Sequence, residues 1–304
     1  MEIELKLLLT QVDRNELVSA LKQAGRTKSD QTHFLVNRYF DTPELTLRHL
    51  DVGLRVRQKG EHREQTVKTA GSSDTGVHRR PEYNVDIDGD WPDLALFPVE
   101  VWQGEEVAAL QQALTEQFAT NFRRHALELE LAGGTLLEVA LDCGEVLASG
   151  KSEVIDELEL ELIRGDLGEA LQLASRLAER FNLRLGQASK AARGYRLAGL
   201  SPQPPLQAEQ PQDLASGLAG WQCNEHHLML GTQGALEALV AQFSGLSQQL
   251  FDREPALAVR LAALGQGLMD APDPRERLAQ VMATTAYGQT QLALLALLPE
   301  FQGE

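Results

Sequence analysis

Charged side chains recur at every second position in several short segments, and this alternation constrains the fold more than any other feature. Glu2, Glu4 and Lys6 are each separated by a single aliphatic residue. Because successive side chains of a strand point to opposite faces, such a segment predicts a strand with one charged and one apolar face. The pattern recurs at Arg55 and Arg57, at Thr66 and Lys68, at Arg80 and Glu82, at Glu138 and Asp142, and at Glu157, Glu159 and Glu161.

The strands that this alternation predicts are short and follow one another closely. They cover residues 2–9, 34–40, 53–59, 64–69, 80–88, 124–131, 135–143 and 153–163, and helices are predicted over 13–24, 105–118, 167–181 and 189–196. Asp13 is placed to cap the first helix, and Gly25 is placed to end it. About eight short strands and a few helices favour an α+β fold, in which the strands form an antiparallel barrel or sandwich and the helices pack outside it.

The composition changes near residue 200. The segment 201–212 is rich in proline and glutamine and has no hydrophobic period, so it is interpreted as a linker. Helical patterns follow over 228–250, 255–268 and 274–298. We therefore predict a barrel domain over 1–200, a linker over 201–212 and a smaller all-α domain over 213–304.

The chain of 304 residues carries a formal net charge of -16, which argues against nucleic-acid binding. Residues 210–304 contain ten acidic residues against four arginines, so the positive charge is concentrated in the first two thirds. The start of the chain lacks the apolar core of a signal peptide, and no apolar run is long enough to cross a bilayer. We therefore expect a cytoplasmic protein with no membrane partner. Two cysteines make neither a disulfide framework nor a cysteine-based zinc site.

The charged strand faces have two interpretations. A half-buried sheet with one solvated face is the simpler one. A barrel lined by both signs explains the whole set better, because Glu157, Glu159 and Glu161 repel one another unless a cation lies among them. Glutamates supply oxygen ligands for Mg²⁺ or Mn²⁺, and arginines and lysines supply donors to phosphate oxygens. Metal ligands combined with phosphate-binding cations suit metal-dependent phosphoryl transfer.

The segment 2–6, Glu-Ile-Glu-Leu-Lys, resembles the ExExK signature of CYTH-domain proteins, the triphosphate tunnel metalloenzymes. Further matching segments follow in the order of that family, at residues 39–42, 54–57, 66–68, 80–82, 138–142, 157–161 and 189–194. The resemblance covers about residues 1–200. It implies an eight-stranded barrel that forms a tunnel and acts on triphosphates with a divalent metal, Mg²⁺ or Mn²⁺.

The resemblance also implies roles for single residues. Those implied to bind metal are Glu2, Glu4, Glu157, Glu159 and Glu161. Those implied to hold phosphates are Lys6, Arg55, Arg57, Lys68, Arg80, Arg124 and Lys190. By strand parity, Glu82, Glu138 and Asp142 face the same interior, where they could bind a second metal or orient water. Glu4, Lys6, Arg57 and Glu159 are the expected catalytic group.

The function that these features favour is hydrolysis of inorganic triphosphate to pyrophosphate and orthophosphate. Alternatives on the same fold are a class IV adenylyl cyclase, a thiamine or nucleoside triphosphatase, and a non-catalytic polyphosphate-binding module. Aromatic residues make up only 5% of the chain, which favours a bare phosphate substrate over one with a base to stack. The helical part resembles a truncated or degenerate CHAD domain or is an unrelated bundle, with a structural or partner-binding role.

Overall fold

The protein is described here from a computed structural model that covers residues 2–74 and 77–301, without the side chains of residues 2, 72–74, 78 and 300. The strands are β1 (Glu2–Leu9), β2 (Arg26–Asp41), β3 (Gly53–Lys59), β4 (His62–Lys68), β5 (Ser72–Asp74), β6 (Val77–Arg80), β7 (Glu82–Asp86), β8 (Thr115–Glu130), β9 (Leu136–Ala148), β10 (Lys151–Arg164) and β11 (Leu183–Leu185). The helices are α1 (Arg14–Ala24), α2 (Thr46–His49), α3 (Val107–Ala113), α4 (Leu167–Ala178), α5 (Lys190–Leu197), α6 (Leu214–Leu230), α7 (Ala235–Leu250), α8 (Pro255–Met269), α9 (Pro274–Met282) and α10 (Thr285–Ala296). Among these described residues, no helix is both long and apolar enough to cross a membrane.

The strands form one antiparallel sheet that curls into a nearly closed barrel. Its order is β5-β6-β1-β10-β9-β8-β2-β3-β4-β7, and β11 pairs with β1. Only Pro81 separates β6 from β7; β6 pairs with β1 while β7 pairs with β4. Proline has no amide hydrogen to donate to a ladder, which explains the interruption. With β6 and β7 counted as one strand, eight strands close the ring as predicted, and β5 and β11 are additional short strands.

The apolar face of the barrel strands is buried by helices. Leu5 and Leu160 on this face belong to the same continuous core as Trp221 of α6 and Leu295 of α10. Helix α10 packs against α4 and β11, so the C-terminal helices lie directly on the barrel. The approach is close, because a Cβ atom built on Gly288 would lie 1.5 Å from the carbonyl oxygen of Leu183.

Several predicted boundaries are wrong. The helix predicted over 105–118 ends at Ala113, and residues 115–118 belong to β8. There the ring of Phe118 stacks on Tyr39 and meets the edge of Tyr195, which stabilises the extended backbone. Strand β2 begins at Arg26, well before the predicted residue 34, because its polar first half pairs with β8.

Two other predictions also fail locally. The helix predicted over 228–250 corresponds to α7, and most of α6 lies before it and was not predicted; Gly231, whose φ of 75° is left-handed, caps the end of α6 at Leu230. The helix predicted over 274–298 is divided into α9 and α10. Gly25 follows α1 as predicted but is extended, with φ of −165°. Glycine is required there because a Cβ atom would lie 2.5 Å from the carbonyl oxygen of Glu130.

Residues 201–212 contain neither helix nor strand and pack along α6 and α7. The Gln207 amide donates to Oδ1 of Asn224 at 2.9 Å, and the Gln242 side chain donates to the Gln207 carbonyl at 2.9 Å. This segment therefore has fixed partners on the helical part. The predicted domain boundaries on either side of it stay a prediction.

Candidate active site

The barrel encloses a cavity of about 960 Å³ lined by side chains from all eight strands of the ring. The predicted site residues that line it are Glu4, Lys6, Arg55, Arg57, Lys68, Arg80, Glu82, Arg124, Glu138, Glu159, Glu161 and Lys190. Asp142 and Glu157 are completely buried beside it. The side chain of Glu2 lies outside the described part of the chain, although its backbone belongs to β1.

Strand register brings the charged residues together. In the β1–β10 ladder, Lys6 lies opposite Glu159 and Glu4 lies opposite Glu161. In the β8–β9 ladder, Arg124 lies opposite Asp142. Directly opposed residues of an antiparallel pair share a face, so these side chains all point to the cavity side of the sheet. Arg123, on the other face of β8, is exposed.

A buried ionic cluster forms the floor of the cavity. The Lys6 ammonium group contacts Glu159 and lies 3.1 Å from Oε1 of Glu157. The Lys190 ammonium group contacts Glu157 and lies 2.7 Å from Asp142 and 2.9 Å from Glu159. Helix α5 presents Lys190 at its first position, where Ser189 caps the helix. Two lysines and three carboxylates are thus linked in one network of ion pairs.

The carboxylates and ammonium groups of this cluster stabilise one another's charged forms. Burial disfavours the charge on Lys6, but Glu157 and Glu159 outweigh this effect and raise its pKa well above the ordinary value. Burial likewise opposes the charge on Glu159, yet Lys190 and Lys6 hold the pKa of its carboxyl well below the ordinary value. Lys6 and Glu159 are therefore both charged at neutral pH.

Oxygens of Asp142, Glu157 and Glu159 lie within 4.8 Å of one another, a spacing that could hold a metal ion. In this structure, however, both lysine ammonium groups contact the same oxygens of Glu157 and Glu159. The carboxylates of this cluster are therefore already paired with the two ammonium groups. Two further carboxylates, those of Glu4 and Glu161, line the cavity and lie opposite each other in the β1–β10 ladder.

Glu4 has the electrostatic environment that suits a cation ligand. Burial and the nearby charge of Glu159 raise the pKa of its carboxyl, and Lys6 at 3.7 Å only partly offsets them. Carboxylate oxygens that repel one another bind hard divalent cations favourably. Glu4 therefore fits such an ion by its chemistry, and Glu159 and Glu161 line the same cavity beside it.

Two arginines also contact the carboxylates of the ionic cluster. Arg124 binds both oxygens of Asp142, at 2.8 and 2.7 Å, and reaches Glu159 at 2.6 Å. Arg193, which the sequence analysis does not single out, lies 3.4 Å from Glu157 and 2.5 Å from Glu153. Its position three residues after Lys190, nearly one helical turn, is the signal that could have identified it.

Arg57 is half-buried and differs from the cations of the ionic cluster. Its Nε atom donates to Oδ1 of Asn37 at 2.8 Å, and no carboxylate oxygen of the described residues lies within the 4.0 Å of an ion pair. Burial and the positive charges of Arg55 and Arg124 lower the pKa of Arg57 to about 9. The cavity thus contains a positive charge that an anion would stabilise.

A further group of ion pairs lies on the β3, β4 and β7 side of the cavity. Lys68 lies 2.9 Å from Glu82, and Arg55 lies 3.6 Å from the other oxygen of the same carboxylate. Arg80 lies 3.6 Å from Asp51. These contacts hold three cations along one wall, with side chains that are only partly exposed.

The sequence of the barrel part matches a known family. The family model described as CYTH domain matches residues 1–195, and the chain belongs to the CYTH family. An inorganic triphosphatase of Haemophilus influenzae is 32% identical over 201 residues, which is 64% of this chain. The match spans only 54% of that relative's length.

Solved structures are also similar to this chain. The Hippeastrum protein HpAC1, whose reported dominant activity is that of a triphosphatase, has a TM-score of 0.44 at 20% identity and covers 64% of this chain and 96% of its own. The PH1012 protein of Pyrococcus horikoshii has a TM-score of 0.38 at 16% identity, covering 62% and 95%.

Proposed function

We propose that the protein hydrolyses inorganic triphosphate to pyrophosphate and orthophosphate inside the barrel cavity, with Mg²⁺ or Mn²⁺. The observation that carries the proposal is Arg57, a cation in the cavity wall that has a neutral hydrogen-bond partner and no carboxylate partner among the described residues. A triphosphate supplies the missing negative charge. The triphosphatase relative supports the same class of substrate.

Phosphate contacts are assigned to the cations that line the cavity. Arg57 and Arg55 would bind phosphoryl oxygens on one wall, and Lys68 and Arg80 would extend the row. Guanidinium groups suit this role because they donate two parallel hydrogen bonds to an oxyanion. Lys6, Arg124 and Lys190 would contribute from the floor, where carboxylates already fix their positions.

The metal would be held by Glu4, Glu159 and Glu161, with Glu2 added on strand parity. A divalent cation there would offset the substrate's negative charge and polarise a phosphoryl oxygen. Glu157 was implied as a ligand, but its side chain is completely buried and does not line the cavity, whereas that of Glu159 does. We assign it instead to positioning Lys6 and Lys190, which it contacts.

The water-orienting role is assigned to Glu138. Asp142 is buried and bound by Arg124 and Lys190, and Glu82 is paired with Lys68. Glu138 lines the cavity with its nearest cation, Arg124, at 3.8 Å, so its carboxylate oxygens remain accessible. It would accept a hydrogen bond from the attacking water and take its proton.

A substrate panel tests the proposal. Purified protein is assayed with tripolyphosphate, ATP and thiamine triphosphate, each with Mg²⁺ and with Mn²⁺, and products are separated by ion chromatography. Tyr39 is the one aromatic side chain that lines the described cavity, which favours a bare phosphate over a base that must stack. We expect the highest kcat/KM for tripolyphosphate. Cyclic AMP as the main product, or a higher kcat/KM for an organic triphosphate, would contradict the proposal.

A further inference from the structure

The cavity continues beyond the barrel into the C-terminal part of the chain. Its wall there is built by residues outside the CYTH match, and we call this region the vestibule: Arg196, Gln207, Ser216, Ala219, Gly220 and Cys223. The last four follow at intervals of three, one and three residues, so they form one face of α6. The helical part therefore supplies one wall of the same cavity.

Arg196 gives the vestibule its charge. The side chain is half-buried, and no carboxylate oxygen of the described residues lies within ion-pair distance of it. The nearby Glu153 pairs with Arg193 instead, at 2.5 Å. Arg196 is thus, like Arg57, a cation that lines the cavity without an acidic partner in the described chain.

The other vestibule side chains indicate what Arg196 faces. They are small or neutral, so they leave space and contribute no negative charge. Within the described part of the vestibule wall no aromatic ring is present to stack on a base. A phosphoryl group needs an anchoring cation and little else from the wall, so this combination suits an anion better than a nucleoside.

We propose that the vestibule binds phosphoryl groups beyond the third, so that linear polyphosphates of four or more phosphates occupy the same cavity with Arg196 as their additional contact. The inference rests on the proposed function, because it extends the binding site for triphosphate. Arg196 and the vestibule face of α6 thereby act as determinants of chain-length specificity. The helical part would contribute directly to substrate selection.

Binding is measured separately from hydrolysis. Titration calorimetry without divalent metal gives the Kd of tripolyphosphate and of tetraphosphate for wild type, Arg196→Gln and Arg196→Lys. Arg260→Gln is the matched control, because this arginine is exposed on α8. We expect Arg196→Gln to weaken tetraphosphate binding roughly tenfold, as for loss of one charge-assisted hydrogen bond. Tripolyphosphate binding should change less than about twofold, and Arg196→Lys should retain most of the affinity.

A second variant keeps the proposal testable. Ala219→Glu places a carboxylate on the vestibule face of α6, and it should weaken tetraphosphate binding selectively as well. Equal losses for both ligands, or no loss in either variant, would overturn the vestibule assignment while leaving the triphosphatase proposal intact. Conversely, the wild type could bind tripolyphosphate and tetraphosphate, with the expected selective loss in the variants, but hydrolyse neither. That result would contradict the proposed function and support the vestibule assignment. Tighter binding of ATP than of tetraphosphate would show that the vestibule holds an organic group and would overturn the proposal.

Discussion

Arg57 and Asn37 lie opposite each other in the β2–β3 ladder, and the arginine Nε atom donates a 2.8 Å hydrogen bond to the asparagine Oδ1 atom. Asn37 is completely buried and also donates to Oγ1 of Thr120 at 3.1 Å. The amide thus fixes the direction of the guanidinium group without neutralising it. The Arg57 guanidinium group therefore has a fixed position and a charge that no carboxylate of the described residues neutralises. Together these two properties explain how the cavity can bind an anion.

Arg57→Gln should therefore reduce activity without harming the fold. We expect kcat/KM for tripolyphosphate to fall roughly hundredfold, in the range for a preorganised donor to transition-state charge. The melting temperature should stay the same or rise, because a partly desolvated charge without an ion pair is removed. Arg38→Gln is the control, since the Arg38 side chain is 43% exposed and does not line the cavity. A large loss of stability in Arg57→Gln would contradict this account.

Lys6 should matter for stability as well as activity. Lys6→Ala would leave the Glu157 and Glu159 carboxylates buried with fewer counter-charges. Breaking a buried ion pair on one side costs about 3–5 kcal/mol, whereas loss of an exposed pair costs about 0–1 kcal/mol. Lys22→Ala serves as the exposed comparison, because Lys22 pairs with Asp30 at the surface. Urea unfolding that shows equal losses for the two variants would disprove the role of the buried cluster.

Glu4→Gln tests the oxygen donors assigned to the metal. The substitution keeps shape and removes one ligand charge, so activity should become undetectable at metal concentrations that saturate the wild type. Stability should be unchanged or slightly higher, because burial and Glu159 disfavour the charge on Glu4 in the folded protein. Metal titration of activity and thermal unfolding measure the two effects. Full activity in Glu4→Gln would remove Glu4 from the metal site.

The contact between the helical part and the barrel should depend on pH. Glu225 of α6 accepts hydrogen bonds from Arg184 of β11 at 2.8 Å and from Tyr287 of α10 at 2.6 Å. Burial nevertheless raises the pKa of its carboxyl above the ordinary value, with Arg184 opposing the shift. A raised pKa means that the folded state binds the proton more tightly. The stabilising contribution is present below the ordinary pKa of about 4.3 and is lost as pH rises through the raised value.

Glu225→Gln removes this titration. The free energy of unfolding of the wild type minus that of the variant should decrease as pH rises above about 4, measured by urea unfolding at successive pH values. Glu237→Gln on α7 is a control in the same helical part that should show no such trend. A difference that increases with pH would mean that the ion pair with Arg184 dominates over burial.

The alternation of charged and apolar residues predicted the strands and most of the cavity lining, while the mixed charge of the strand faces and the resemblance to the CYTH family favoured a barrel over a sandwich. Strands β1 and β3 have the predicted bounds, and charged and apolar residues alternate over residues 2–7 of β1 and 54–57 of β3. Parity also placed Arg124, rather than Arg123, on the cavity side. The polar first half of β2 lacks this alternation, so only its pairing with β8 identifies it as a strand.

Other features depend on contacts that sequence spacing does not encode. Glu157 and Glu161 have the same parity, yet one lies under two lysines and the other lines the cavity. Their difference follows from the β1–β10 register and from the docking of α5. The vestibule likewise requires α6 to pack beside the barrel, which the sequence of α6, with its glycines and polar residues, does not indicate.

The most direct test of the central claim is a phosphorus NMR time course with tripolyphosphate. Wild type is compared in Mg²⁺, in Mn²⁺ and in excess chelator, with Arg57→Gln measured alongside. We expect equal molar amounts of pyrophosphate and orthophosphate with metal and no turnover in chelator. Turnover by Arg57→Gln should be strongly reduced. Undiminished turnover in chelator, or an Arg57→Gln variant as active as the wild type, would contradict the central claim.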